Sequence, residues 1–125
     1  MFSGTTQRYR DITFIFSHAG GTMPFLIERF TRLRLSDRRH AAYTPEVVFA
    51  EFHRFYYDTA QAAHRAALSA LTAVIPVSQI VYGTDFPFRT NADHVRGLSE
   101  FFNLTDMKAI DRDNALKLLP RLRAA

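Results

Sequence analysis

Cysteine and tryptophan are absent from this chain of 125 residues, and glycine and proline number five each. Without cysteine, disulfide frameworks and thiolate zinc sites are excluded, and the composition suits a reducing compartment such as the cytoplasm. No apolar run approaches the roughly 20 residues that a membrane span requires, so no membrane partner is expected. The opening stretch, Met1 to Arg10, is polar and lacks the apolar segment of a secretory leader. Hydrophobic residues make up 47% and charged residues 22%, which sets aside collagen-like, coiled-coil and disordered classes. No short repeat and no low-complexity linker interrupts the chain.

What is present begins with charge. The formal net charge is +4, and five arginines fall between Arg29 and Arg39, with Glu28 just before them and Asp37 among them. No nucleic-acid motif accompanies that run, so it reads as a solvated helix end or an oligomer contact, and nucleic acid is not an expected partner.

Short β-branched and aromatic runs alternate with longer helical patterns, the mark of βα units and a parallel sheet. Asp11 to Ser17 is almost continuously apolar, as expected of a strand buried on both faces. It ends in His18-Ala19-Gly20-Gly21, where the glycines permit a tight turn. A helix is predicted from about Met23 to Leu35, with Pro24 in its first turn. Thr44-Pro45-Glu46 starts a second, to about Arg54. Phe55 to Tyr57 is the next strand, closed by Asp58-Thr59, and a helix from about Ala62 to Val74 follows. Gln79 to Tyr82 is the third strand, ending in Gly83-Thr84-Asp85-Phe86-Pro87. Helices over about Ala92–Phe102, Thr105–Ile110 and Arg112–Leu119 complete the chain, with Thr105 and Asp111 as expected caps.

His18, Asp58 and Asp85 each fall just past the end of a predicted strand. In parallel βα architectures ligands and catalytic groups gather at that edge. Neighbouring strands lie about 4.8 Å apart, so the three residues can converge on one small volume. An imidazole and two carboxylates are suitable for binding a divalent ion or for sharing proton transfer. Each also has a purely local use: His18 in its turn, Asp58 as a helix cap, Asp85 as a turn aspartate. His40, His53, His64 and His94 read as surface or structural residues.

The same segments carry a resemblance. Phe16-Ser-His-Ala-Gly-Gly-Thr-Met-Pro-Phe25, with Arg29 after it, resembles the histidine-glycine segment of the amidohydrolase-related family, which includes aminocarboxymuconate-semialdehyde decarboxylase. Val81-Tyr-Gly-Thr-Asp-Phe-Pro-Phe88 resembles that family's metal-binding aspartate segment. Phe55 to Ala60 resembles the strand between them, and Asn114 to Leu119 resembles the last helix.

The resemblance implies the C-terminal part of a TIM-like (β/α)8 barrel, about three βα units plus terminal helices, forming one partial domain over residues 1–125. It implies a metal-dependent enzyme acting on small aromatic carboxylic acids by decarboxylation or hydrolysis. His18 then matches the histidine beside the metal, and Asp85 the metal-ligating aspartate. Arg38 lies near an arginine that in some members reaches a neighbouring subunit's site, and Asp58 matches in position only; both are weak substrate-binding candidates. The cofactor would be a divalent metal, zinc in complete relatives. The family's His-X-His pair is missing from this sequence, so little activity is expected of this chain alone. A homo-oligomer, or a complex with a missing N-terminal half, is the expected partner. The alternative reading is a non-catalytic, oligomerising remnant of such an enzyme.

Overall fold

The computed structural model describes residues 1–124. Three strands, β1 (Ile15–Phe16), β2 (Tyr56–Asp58) and β3 (Ile80–Val81), form one sheet in the order β1-β2-β3. Both pairings are parallel: Ile15 opposes Tyr56 and Phe16 opposes Tyr57, while Tyr57 opposes Ile80 and Asp58 opposes Val81. Parallel neighbours need long crossovers. Helices α2 (Ile27–Thr31), α3 (Leu33–Ser36) and α4 (Pro45–Phe52) make the first, and α5 (Arg65–Thr72) makes the second. Helices α6 (Asn91–Ser99), α7 (Leu104–Lys108) and α8 (Asn114–Leu118) follow β3, and a short α1 (Thr5–Arg8) precedes β1. The chain is thus a small α/β unit whose three strand ends point the same way.

The core lies between the sheet and its helices. Tyr57, Leu68, Leu71, Ile80, Leu98 and Ile110 are each at most 1% exposed, and burying one such aliphatic side chain stabilises the fold by about 1.5–3 kcal/mol. Capping fixes where the helices start. The Thr44 hydroxyl accepts the Val47 N–H at the head of α4, and Thr90 accepts the Asp93 N–H at the head of α6. His64 does the same for α5 through Nδ1, which accepts from the Ala67 N–H. Among the described residues no helix is long and apolar enough to cross a membrane.

Four expectations need correction. First, the strand over Asp11–Ser17 reduces to two residues, and neither is buried: Ile15 is 52% and Phe16 42% exposed. Both outer strands have one strand partner, but β3 is covered by the Ala109–Asp113 turn and α8, whereas β1 has no such cover among the described residues. Second, the helix over Met23–Leu35 is broken. The chain turns through Leu26, whose φ of −103° and ψ of 16° lie outside the helix. After α2 the Thr31 hydroxyl donates back to the Glu28 carbonyl at 2.8 Å, a bond that bends helices. Third, α7 is capped by Asn103, which accepts the Asp106 N–H at 2.9 Å, and not by Thr105. Fourth, Asp111 caps nothing. It sits in a π-turn, Ala109–Asp113, that joins α7 to α8 without a break. The Tyr82 N–H donates to the Ile110 carbonyl in that turn, at 3.1 Å.

Candidate active-site rim

The strand ends converge on one rim. Leaving β1, His18, Ala19, Gly20 and Gly21 all have positive φ, at 57°, 54°, 77° and 59°. For the two glycines this conformation is free; for a residue with a Cβ it costs of order 1–3 kcal/mol. Gly20 is needed for space as well, because a Cβ there would lie 3.0 Å from the Tyr57 ring. Leaving β3, Asp85 is also left-handed, with φ of 66°, and so is Gln61 after β2, at 53°. All four non-glycine residues of positive φ among the described residues therefore sit in the segments that follow the three strands. Strain concentrated in this way points to a site whose side-chain placement matters more than backbone comfort.

His18 and Asp85 meet there, with Nε2 and Oδ2 3.4 Å apart. Their side chains keep 49% and 31% of their surface exposed, so the pair is open to a ligand. The Gln61 side-chain amide donates to the same Asp85 Oδ2 at 3.3 Å. Asp58, half-buried, turns one carboxylate oxygen onto backbone. Its Oδ1 accepts the His18 N–H at 2.8 Å and the Ala60 N–H at 3.0 Å. Behind the glycine turn, Phe16, Met23, Phe30 and Tyr57 help line an apolar cavity of about 260 Å³.

Beneath the rim lies a buried polar knot. The Thr59 hydroxyl donates to the Gly83 carbonyl at 3.0 Å and accepts the Gly83 N–H at 3.1 Å. His94, 0% exposed, brings Nε2 to 2.9 Å from that hydroxyl. The hydroxyl hydrogen is already committed to Gly83, so Nε2–H is the donor and Nδ1 is a bare lone pair. Nδ1 has no partner, and an orphaned lone pair is less costly here than an orphaned N–H would be. Burial, then the nearby Arg89 cation, push the His94 pKa below its ordinary value of 6.5, with the Asp58 carboxylate opposing them. The Tyr82 ring meets the imidazole edge-on, at 5.5 Å between centroids.

Arg38 is apart from this constellation. It is exposed in a short 3-10 turn, Arg38–His40, whose cap is Asp37. The Arg39 guanidinium beside Asp37 holds that carboxyl down to about 2. Among the described residues no hydrogen bond or ion pair links Arg38 to His18, Asp58 or Asp85. Sequence reasoning passed over Gln61 and gave His94 no particular place. Nothing marks Gln61 in an Ala-Gln-Ala stretch, and the burial of His94 depends on the packing of α6 against the sheet.

A catalytic divalent centre takes about three protein ligands. No group of three or more histidine, aspartate or glutamate side chains converges on one point among the described residues. His18 and Asp85 offer two donors at most, so these residues do not hold a metal centre by themselves.

Comparison with known proteins gives the family and the fold. The amidohydrolase family profile matches residues 1–121, so the chain belongs to that family. It is 36% identical over 129 residues to a 6-methylsalicylic acid decarboxylase of Penicillium expansum, covering 97% of this chain and 39% of that protein. The chain spans about two fifths of the length of the curated relatives it matches. Among solved structures it superposes on a 2,6-dihydroxybenzoate decarboxylase in complex with 2,6-dihydroxybenzoate, with a TM-score of 0.80 and 20% identity, covering 97% of this chain and 38% of that one. A dihydroxybenzoic acid decarboxylase of Polaromonas sp. JS666, with bound manganese and 2-nitroresorcinol, gives a TM-score of 0.78 at 22% identity, over 94% of this chain and 36% of that one. At such identities the superpositions establish a shared fold.

Proposed function

We propose that this chain is the C-terminal, rim-bearing part of a (β/α)8-type decarboxylase of small aromatic carboxylic acids, with His18 and Asp85 as its contribution to the active site. One observation carries the reading: the 3.4 Å approach of His18 Nε2 to Asp85 Oδ2 at the strand-end rim, between residues held in strained backbone. The names of the relatives support the substrate class.

Loss of CO2 from an aryl carboxylate leaves the electron pair of the broken C–C bond on the ring carbon, which must take up a proton. An imidazole is the natural group to deliver it near neutral pH. Asp85 Oδ2 faces His18 Nε2 and orients the ring, while Gln61 steadies the carboxylate. Asp85 is also the aspartate that would serve a divalent ion, manganese or zinc, whose other ligands would have to be supplied from outside the described residues. That ion would stabilise negative charge on the substrate. Hydrolysis would use the same two groups. The decarboxylase names of the relatives favour the first chemistry.

The test is a chimera in which this chain replaces the matching stretch of the Penicillium expansum enzyme. It should release CO2 from 6-methylsalicylic acid, while the chain alone releases little or none. Asp85→Asn should remove both metal uptake and turnover. His18→Asn should keep the metal and lose roughly 10²–10⁴-fold in rate. A His18→Asn chimera as fast as its parent would sink the assignment.

A second reading has one observation in its favour. Ile15 and Phe16 expose apolar surface on an edge strand, which suits a non-catalytic element that assembles with another chain. Light scattering tests it: a monomer at high concentration removes its support.

A further inference from the structure

Asp58 is the one strand-end residue whose side-chain hydrogen bonds all go to backbone, through Oδ1. We infer that Asp58 is a positioning residue for His18: its carboxylate fixes the left-handed turn that aims the imidazole at Asp85, and it makes no contact with substrate. This rests on the proposed role of His18 and deepens it.

The geometry is specific. Asp58 lies at the end of β2, 40 residues from His18 in sequence, and its Oδ1 takes the His18 N–H at 2.8 Å. The same oxygen takes the Ala60 N–H at 3.0 Å, so the carboxylate is itself held by its own turn. A charged acceptor on a backbone N–H makes a stronger bond than a neutral one. Here that bond is made at the first of four consecutive positive-φ residues, His18 to Gly21. It is the one hydrogen bond from β2 to the His18 backbone among the described residues, and without it the left-handed conformation of His18 loses its acceptor.

The neighbouring residue completes the device. Thr59 grips the other exit: its hydroxyl bonds both the N–H and the carbonyl of Gly83, two residues before Asp85. The buried His94 fixes that hydroxyl from below. Gly83 passes so close over Asp58 that a Cβ there would come to 3.2 Å from the Asp58 Cβ. Consecutive residues at the end of the central strand, its last residue and the one after it, therefore set the two outer exits, Asp58 that of β1 and Thr59 that of β3, and the His18–Asp85 separation follows from both.

The experiment compares Asp58→Asn, Asp58→Ser and Asp58→Ala. Asparagine keeps an acceptor oxygen in the same place. Serine can still cap the Ala60 N–H but is too short to reach His18. The first readout is amide hydrogen exchange and the φ-dependent N–H/Hα coupling of His18, measured by NMR on the chain itself. Alanine and serine should speed exchange of the His18 amide by at least about tenfold and change its coupling, with the exchange of Leu68 and Ile80 unaltered. Asparagine should restore protection. The second readout is turnover in the chimera described above. Alanine and serine should lower kcat by roughly 10–100-fold, the size of effect seen when a residue supporting a catalytic group is removed. KM should move less than about twofold, and asparagine should recover most of the rate.

Unchanged His18 exchange in the serine variant would overturn the inference, as would an asparagine variant that raises KM as much as alanine does, since that outcome marks a charge in contact with substrate. If alanine does not fold, the serine and asparagine pair decides alone. Amide exchange needs no turnover, so an inactive parent chimera would count against the proposed reaction and leave the exchange result to judge Asp58.

Discussion

At one edge of the sheet, β3 has no strand beside it, yet its backbone is answered. The Asn114 amide donates to the carbonyls of Val77 and Ile80, both at 2.8 Å, and the Ile110 carbonyl takes the Tyr82 N–H. Ile80 and Val81 are buried, and the side chain that does most of this work, Asn114, is 0% exposed. At the other edge β1 offers Ile15 and Phe16 to solvent, with exposed Phe25 and Leu26 following on the same segment. Helices thus finish the β3 edge from within the chain, whereas nothing among the described residues finishes the β1 edge. A domain closes its sheet edges with whatever sequence it has. Here the means are on one side only, and the His18 turn is built on the open side.

The contrast can be broken most sharply where the closed side is tightest. A Cβ on Gly97 of α6 would fall 2.1 Å from the Ala63 carbonyl oxygen, which is backbone and cannot swing away. Gly97→Ala should therefore cost about 3 kcal/mol, towards the upper end for overpacking, read as a lowered urea midpoint at unchanged m. A variant as stable as the parent would show that α6 does not sit against residues 62–63 in solution.

Next in size is Asn114→Ala. It takes the amide from the Ile80 carbonyl and one of two donors from the Val77 carbonyl, which keeps the Ile80 N–H, and leaves a buried gap, for about 2 kcal/mol, on the basis of roughly 1–3 kcal/mol per unsatisfied buried group. A loss under 1 kcal/mol would mean that water replaces the amide and that the β3 edge is as open as the β1 edge.

The third prediction is a pH dependence. His94 is buried and neutral, with Arg89 and Asp58 as the charges acting on it and Tyr82 against its ring. Its folded pKa lies below 6.5, so the unfolded chain binds the proton more readily. Stability should be full above about pH 6.5 and should fall as the pH drops below it, towards the depressed folded pKa. Urea midpoints between pH 5 and 8 measure this. His94→Gln should flatten the profile in that window, and an equal slope in both proteins would place the titrating group elsewhere.

How much of this the sequence shows differs by element. Helix starts were legible at Thr44 and misplaced at Thr105, because a cap competes only with its neighbours and Asn103 stood two residues earlier with a free acceptor. The three strands and their order of use were legible from apolar runs that end in His18, Asp58 and Asp85, since strand ends are set by local chemistry. Their lengths and burial were not, because burial depends on what packs over each edge, and helices cover β3 but not β1. Strand-end position put His18, Asp58 and Asp85 together and the family resemblance singled out His18 and Asp85; their 3.4 Å approach is a property of the fold. The Asp58 clamp and the Thr59–His94 knot could not be read from spacing, since both depend on partners 24 to 40 residues away.

The smallest expected effect tests the open edge directly. Ile15→Thr keeps the β-branched shape that suits a strand and replaces a methyl-bearing arm with a hydroxyl. With 52% of Ile15 already exposed, the change should move stability by no more than about 0.5 kcal/mol in dilute solution, as surface substitutions do. The same change at Ile80, 0% exposed on the closed edge, removes a buried arm and leaves a hydroxyl to satisfy, so it should cost several times more. The ratio of the two losses measures how differently the edges are finished. If Ile15→Thr cost about 2 kcal/mol or more, and cost more at higher protein concentration, the β1 face would be covered in solution by a second chain, and the two edges would differ only in whether the cover comes from within.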